Sequence, residues 1–232
     1  MTQRAYEPTI PKHGGYRRLK TFQLATVIYD VTARFCAKYL DSRSRTVDQM
    51  TQAARSGRQN IAEGSVDSGT SKKIEMKLTG IAKGSLEELR LDYEDYLRQR
   101  GLPQWDKDHP ALARFRALRC ASLETFRLWV AEEMKRGDAE RGKDTDGDGE
   151  NTGGHERART GETGAPSVRG SPCRSAPFDP SVYVANGALS LLNLCIYLLE
   201  RQLRAQADAF EKEGGFTERL YRVRSAARRR KT

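Results

Sequence analysis

Apolar residues recur every three or four positions along four stretches of this chain, and each such stretch predicts an amphipathic helix. In the first, Leu24, Ile28, Val31 and Phe35 fall on one face of a helix expected from about Tyr16 to Leu40. After a turn at Asp41 to Arg45, Thr46 with Gln49 fits a capping box that opens a second helix. Val47, Met50, Ala53, Ala54 and Ile61 form its apolar side, and its small residues predict close packing. The third is expected from Ser71 to Arg100, with Ile74, Leu78, Ile81, Ser85, Leu89 and Tyr96 as its stripe, widened by Ala82, Leu86, Tyr93 and Leu97. The fourth begins at Asp179-Pro180, an N-cap followed by proline at the first helical position. Its first half is apolar nearly all round, so it is expected to be buried on more than one side.

The remaining segments read differently. Residues 1–15 form an extended arm punctuated by Pro8, Pro11, Gly14 and Gly15. Residues 106–136 predict one accessory helix with Asp108 as N-cap and Pro110 in its first turn, its periodicity slipping around Cys120 to Leu123. Residues 137–178 hold nine glycines, three prolines and alternating charges, and predict a disordered linker. The fourth helix closes at Gly214-Gly215, and residues 214–232 make a basic suffix. The expected class is all-α: an antiparallel up-down four-helix bundle of residues 16–105 and 179–213, carrying the accessory helix and linker as an insertion.

The joint between the second and third helices carries the most specific pattern. Gly64 follows Ile61-Ala62-Glu63 where a left-handed C′ residue is expected, and Gly69 precedes the potential caps Thr70 and Ser71. Asn60, Ile61, Ala62, Glu63 and Gly64 make up a structural motif, within which Asn60, Glu63 and Gly64 are assigned to holding that turn. With Arg55-Ser56, Gln59, Ser71-Lys72-Lys73 and the run Ala82-Lys83-Gly84-Ser85-Leu86-Glu87-Glu88-Leu89, this motif resembles a four-helix-bundle family. The family contains the 23S rRNA intervening-sequence proteins and the accessory proteins of diversity-generating retroelements. The version here, with its inserted segment and basic end, resembles the four helix bundle suffix domain. The likeness covers residues 14–105 well and 180–225 more loosely. It implies a non-enzymatic accessory protein, assembled as a ring-like homo-oligomer (a pentamer), whose positive surfaces engage RNA or DNA and whose partner in retroelements is a reverse transcriptase.

Composition narrows the function. A net charge of +10, with 31% charged and 37% hydrophobic residues, favours a polyanionic partner. Cys36, Cys120, Cys173 and Cys195 share no C-x-x-C spacing, so neither a zinc site nor a disulfide framework is indicated, and a reducing cytoplasm is the expected setting. The N-terminus has no apolar signal core. The longest apolar run, Ala188 to Leu199, is too short to span a bilayer, so no membrane partner is expected.

Catalytic patterns fail on their chemistry. Gly64 to Ser71 imitates a phosphate-binding loop, but Thr70 stands where the lysine is required and a helix precedes it. Asp144, Asp146, Asp148 and Gly149 imitate an EF-hand, but His155 occupies the position of the bidentate glutamate. His13, His109 and His155 stand in no metal-ligand or nucleophile pattern, and no cofactor or catalytic residue is nominated.

The basic residues carry the functional expectation. Arg17, Arg18 and Lys20 open the first helix, and Lys72, Lys73 and Lys77 open the third, where cations oppose the helix dipole. An up-down arrangement brings both starts to one pole with Arg55 and Arg58 of the second helix. The suffix adds Arg219, Arg222, Arg224, Arg228, Arg229 and Arg230. Helix N–H groups there would supply further phosphate donors. Few aromatics lie near this pole, so backbone binding with strong salt dependence is expected. The alternative is a homo-oligomeric scaffold that docks a protein partner without touching nucleic acid.

Overall fold

The computed structural model describes residues 13–145 and 179–229, and within them the protein is helical, with no strand. A 3-10 turn at Tyr16–Arg18 leads into α1 (Lys20–Tyr39), followed by α2 (Arg45–Asp67), α3 (Lys72–Gln99), α4 (Pro110–Ala117), α5 (Leu123–Thr145), α6 (Pro180–Glu213) and α7 (Phe216–Arg229). Residues 137–145, expected in the linker, continue α5; residues 146–178 lie outside the described residues.

Four helices close on one another, α1 and α3 each packing against both α2 and α6. Their touching pairs fix the directions. Cys36 meets Met50 at 4.0 Å and Arg58 lies over Tyr29, so α2 runs back along α1. The Ser56 and Ser85 hydroxyls share a hydrogen bond of 2.9 Å and Gly64 abuts Glu75 and Leu78, so α3 returns along α2. Thr21 donates to Gln202 at 3.2 Å, and Gln206 donates to Thr79 at 3.3 Å, placing the second half of α6 beside the starts of α1 and α3.

The α1 stripe is buried as its spacing predicts, Leu24, Ile28, Val31 and Phe35 all lying in the core. On α3 the buried line is Thr79, Ala82, Leu86, Leu89, Tyr93, Tyr96 and Leu97. Ile74 and Ile81, expected in the stripe, are 45% and 42% exposed. At ~100° per residue they sit roughly a third of a turn from Leu86, which meets Gly57 of α2, and from Tyr93, whose hydroxyl donates to Thr32 of α1 at 3.1 Å. Each fully buried leucine of this line contributes about 1.5–3 kcal/mol by leaving water.

Helix ends follow local chemistry. The Ser44 hydroxyl, rather than Thr46, caps α2 by accepting from the Thr46 N–H at 3.3 Å. Ser71 caps α3 through the Ile74 N–H at 3.2 Å, and Asp179 caps α6 through the Ser181 N–H at 2.8 Å. α2 does not stop at Gly64 but continues to Asp67. Gly64 is a packing residue instead: a Cβ there would stand 3.3 Å from the Glu75 carbonyl oxygen and from Leu78.

The accessory segment is two helices. The slip in periodicity marks a break between α4 and α5, where Arg119 adopts φ +46°. His109, rather than Asp108, caps α4, its Nδ1 accepting from the Ala111 N–H at 3.3 Å. Phe115, Phe126 and Trp129 form a ring cluster against α6 at Gly187, where a Cβ would come within 2.6 Å of Trp129. Arg114 clasps the buried Glu133 carboxylate with two hydrogen bonds, Nε to Oε1 at 2.6 Å, joining α4 to α5. Asn186 ties the preceding segment to α6, accepting from the Trp105 N–H at 2.7 Å and donating to the Pro103 carbonyl at 3.0 Å.

The stretch Pro180–Arg229 contains a window long and apolar enough to cross a membrane by length and composition, contrary to the expectation from Ala188 to Leu199 alone. Of that window 61% is buried inside the protein, so its apolarity serves the core.

Candidate nucleic-acid interface

Cations at a helix N-terminus cost stability unless something offsets them, and a joint between helices exposes peptide dipoles to solvent. Here the joint α2–α3 is Ser68 to Ser71, and the joint α6–α7 is Gly214-Gly215. The two lie side by side: Ser68 to Lys72 and Glu213 to Phe216, with Arg219, line one small cleft. The N-terminal turn joins them, the Gly14 N–H donating to the Ser65 carbonyl at 2.9 Å and His13 lying against Gly69. One pole of the molecule therefore gathers Arg17, Arg18, Lys72, Lys73 and Arg219.

The local chemistry tempers this charge. Lys72 forms an ion pair with Glu75 at 3.1 Å, and Glu75 also accepts from Gln206 at 3.1 Å. Glu75 stands in the first turn of α3, where a carboxylate favours the helix dipole and offsets the lysines beside it. Lys73 and Lys77 are exposed, as are Arg17 and Arg18. Arg17 also lies 5.5 Å from the ring centroid of Tyr16. The N–H groups of the α2–α3 joint are largely taken: Thr70 and Ser71 donate to the Asp67 carbonyl at 3.0 and 2.9 Å.

Several expected members are elsewhere. Arg55 and Arg58 sit near the middle of α2, because that helix extends beyond Gly64. Arg58 stacks over Tyr29, 4.3 Å from the ring centroid, and so braces α2 on α1. Lys20 faces α4 and α6, sharing a groove with Arg116 and Tyr197. Asn60 does not hold a turn: its amide donates to the Ser56 carbonyl at 2.9 Å and hydroxyl at 3.1 Å, orienting the Ser56–Ser85 bridge between α2 and α3. Ile61 is core, Ala62 half-buried and Glu63 exposed.

The suffix is a helix with a pattern of its own. Arg219, Arg222, Arg224, Arg228 and Arg229 all lie in α7, and Arg230 lies outside the described residues. Phe216, Leu220, Val223 and Ala227 recur at spacings of four, three and four, giving α7 an apolar stripe flanked by arginines. That stripe was legible in the sequence and is masked there only by the density of charge. None of the α7 residues is buried, and Tyr221 is 74% exposed. The Arg222 guanidinium donates to the Glu213 carbonyl at 3.0 Å, tying the second turn of α7 to the end of α6.

Among the described residues no group of three His, Cys, Asp or Glu side chains could hold a metal ion. The thiols of Cys36, Cys120 and Cys195 are free and buried, and burial pushes all three above the usual thiol range, Cys195 up to about 12. Such thiols are poor nucleophiles at neutral pH. Comparison of the chain with protein-family models, with curated proteins and with solved structures finds no match.

Proposed function

We propose that this protein is a non-enzymatic accessory protein that binds the backbone of RNA or DNA through its basic pole and α7. The observation that carries this reading is the junction of α7, an exposed helix with five arginines, to the pole that already presents Arg17, Arg18 and Lys73. In this reading α1, α2, α3 and α6 constitute an antiparallel four-helix bundle. The resemblance to the intervening-sequence and retroelement accessory proteins fits the same picture.

Self-association is part of the proposal. Ile74 and Ile81, seven residues apart and so on one side of α3, are 45% and 42% exposed, with nothing within 4 Å of a Cβ placed at Gly80 or Gly84. An exposed apolar ridge on a helix is a surface that a second copy can cover. A second reading, a scaffold that docks a protein partner such as a reverse transcriptase, is favoured by the apolar stripe of α7, which buries no residue.

Anisotropy titration of labelled RNA and DNA at about 50 and 200 mM salt tests nucleic-acid binding. Affinity should fall at least about tenfold between them if several phosphates are neutralised. Replacing Arg224, Arg228 and Arg229 by alanine should lower the salt slope by about 0.7–0.9 for each phosphate left without its cation. Absence of binding at low salt, with a protein partner still captured, would transfer the function to the scaffold reading.

A further inference from the structure

A groove of 780 Å³ opens on the side of the molecule where α4 meets α6 and the start of α1. Its floor is apolar and buried: Leu24, Leu112, Phe115 and Leu189 are each 6% exposed or less. Its rim is cationic. Lys20, Lys107, Arg116 and Arg119 all line it and are all exposed, and no aspartate or glutamate lines it. None of these four forms an ion pair among the described residues. Elsewhere on the surface Arg90, Arg98 and Arg204 each sit within 3 Å of a carboxylate.

The cations are positioned over the groove by backbone features. The Arg116 guanidinium donates to the Lys107 carbonyl at 2.7 Å, which ties α4 to the segment before it and leaves its other donors available. Arg119 stands at φ +46°, a left-handed conformation that costs a non-glycine residue, at the turn that places Cys120 in the wall. Trp105 and Tyr197 complete the walls, and Tyr197 is 56% exposed. The smaller crevice of 330 Å³ between α1, α5 and α6 lacks this arrangement: there Arg127 meets Glu124 at 3.6 Å and Lys38 lies over Tyr39.

An apolar floor gains nothing from a phosphate backbone, and a cationic rim gains nothing from a neutral hydrocarbon. The combination suits a ligand that is both, and the volume falls within the range of small-molecule sites, about 300–1,000 Å³. We propose that this groove binds a small amphiphilic anion, an apolar body bearing a carboxylate that the rim cations hold. The floor removes the apolar body from water while the rim arginines meet the carboxylate as charge-assisted hydrogen-bond donors.

The test uses the full chain, dodecanoate below its micelle concentration, and dodecan-1-ol as the neutral probe, followed by calorimetry and tryptophan fluorescence. Dodecanoate should bind saturably at one site per chain and at least tenfold more tightly than the alcohol. Replacing Lys107 and Arg116 together by alanine should abolish that preference and leave the alcohol's affinity unchanged, with an unaltered thermal melt reporting intact folding. Equal affinity for the two probes, or none for either, overturns the proposal. So does a groove covered by a second copy, seen as self-association that the same double variant disrupts while dodecanoate fails to bind. An acidic, leucine-rich peptide that binds where dodecanoate does not would assign the groove to a protein partner and overturn it equally.

Discussion

α6 and α7 are consecutive helices of the same chain, separated by two glycines, yet α6 contributes twelve buried residues to the core and α7 contributes none. The difference lies in the width of their apolar surface. In the first half of α6, apolar residues occupy nearly the whole circumference, so that it can face α1, α3, α4 and α5 at once. In α7 the apolar residues form a single narrow stripe between arginines, partly covered at Phe216, Leu220 and Val223 but with no residue buried. Periodicity alone makes both helices; only the width of the stripe decides which one becomes core. Gly214, at φ +75°, makes the turn between them, a conformation that glycine adopts without steric cost.

The largest expected contrast comes from truncating one leucine in each. Leu192 of α6 is fully buried, and Leu192→Ala should cost about 2–5 kcal/mol through the forfeited transfer energy and the cavity left behind. Leu220 of α7 is only half-buried, and Leu220→Ala should stay within about 0.5 kcal/mol. Urea melts of the two variants measure this directly. Comparable losses would mean that α7 belongs to the cooperative core. A second variant probes how tightly α6 is docked. Gly187→Ala drives a methyl to within 2.6 Å of Trp129 and 2.9 Å of Phe126, rigid rings that cannot fold away. It should cost about 1–3 kcal/mol by overpacking, with the near-ultraviolet tryptophan signal changed. An unchanged melt would show that α5 yields to α6 freely.

Much of this was legible in the residues. The α1 stripe, the α6 cap at Asp179 and the closing turn at Gly214 follow from local chemistry, which the sequence carries in full. The end of α2 was not legible, because a glycine after Ile61-Ala62-Glu63 reads equally as a helix stop or as a site of close approach. Only the presence of Glu75 and Leu78 against Gly64 decides between them. The extra turn carries Arg55 and Arg58 away from the pole, so one misread glycine misplaces two site residues. Ile74 and Ile81 failed for a related reason: α3 has two overlapping apolar stripes, and which one faces inward depends on where α2 and α6 lie. The rim of the α4–α6 groove was hidden differently, since Lys20 and Arg116 stand far apart in the chain and meet only through tertiary packing.

The turn between the two helices supplies the next contrast. Gly214→Ala places a side chain at φ +75° and ψ −177°, a conformation open essentially only to glycine, with its Cβ 3.1 Å from Glu218, and should cost about 1–3 kcal/mol if α7 must keep its orientation. Should α7 be free to swing, the loss will be smaller and the change will appear instead in nucleic-acid affinity. Melting and low-salt binding measured on the same variant separate the two.

The smallest expected effect concerns pH, and it distinguishes the buried half of α6 from α7 again. His109 caps α4 through a neutral Nδ1, and its ring stacks on Trp105 with centroids 4.3 Å apart. Trp105 in turn meets Tyr183 of α6. Burial, together with the nearby Arg114 guanidinium, holds the His109 pKa below the ordinary imidazole value, against the opposing pull of Glu133. A group with a depressed folded pKa of this sign contributes stability that is present above its unfolded value and is lost as pH falls through the folded one. Protonation converts the accepting nitrogen into a donor, so α4 loses its cap on acidification, at a cost of about 0.5–1 kcal/mol. His109→Asn keeps a capping oxygen at every pH. Its melting temperature should therefore hold from about pH 7 to 5 while that of the parent declines, and the Trp105 fluorescence of the parent should shift over the same interval. Parallel curves for the two proteins would show that the imidazole contributes its stacked ring and not its lone pair.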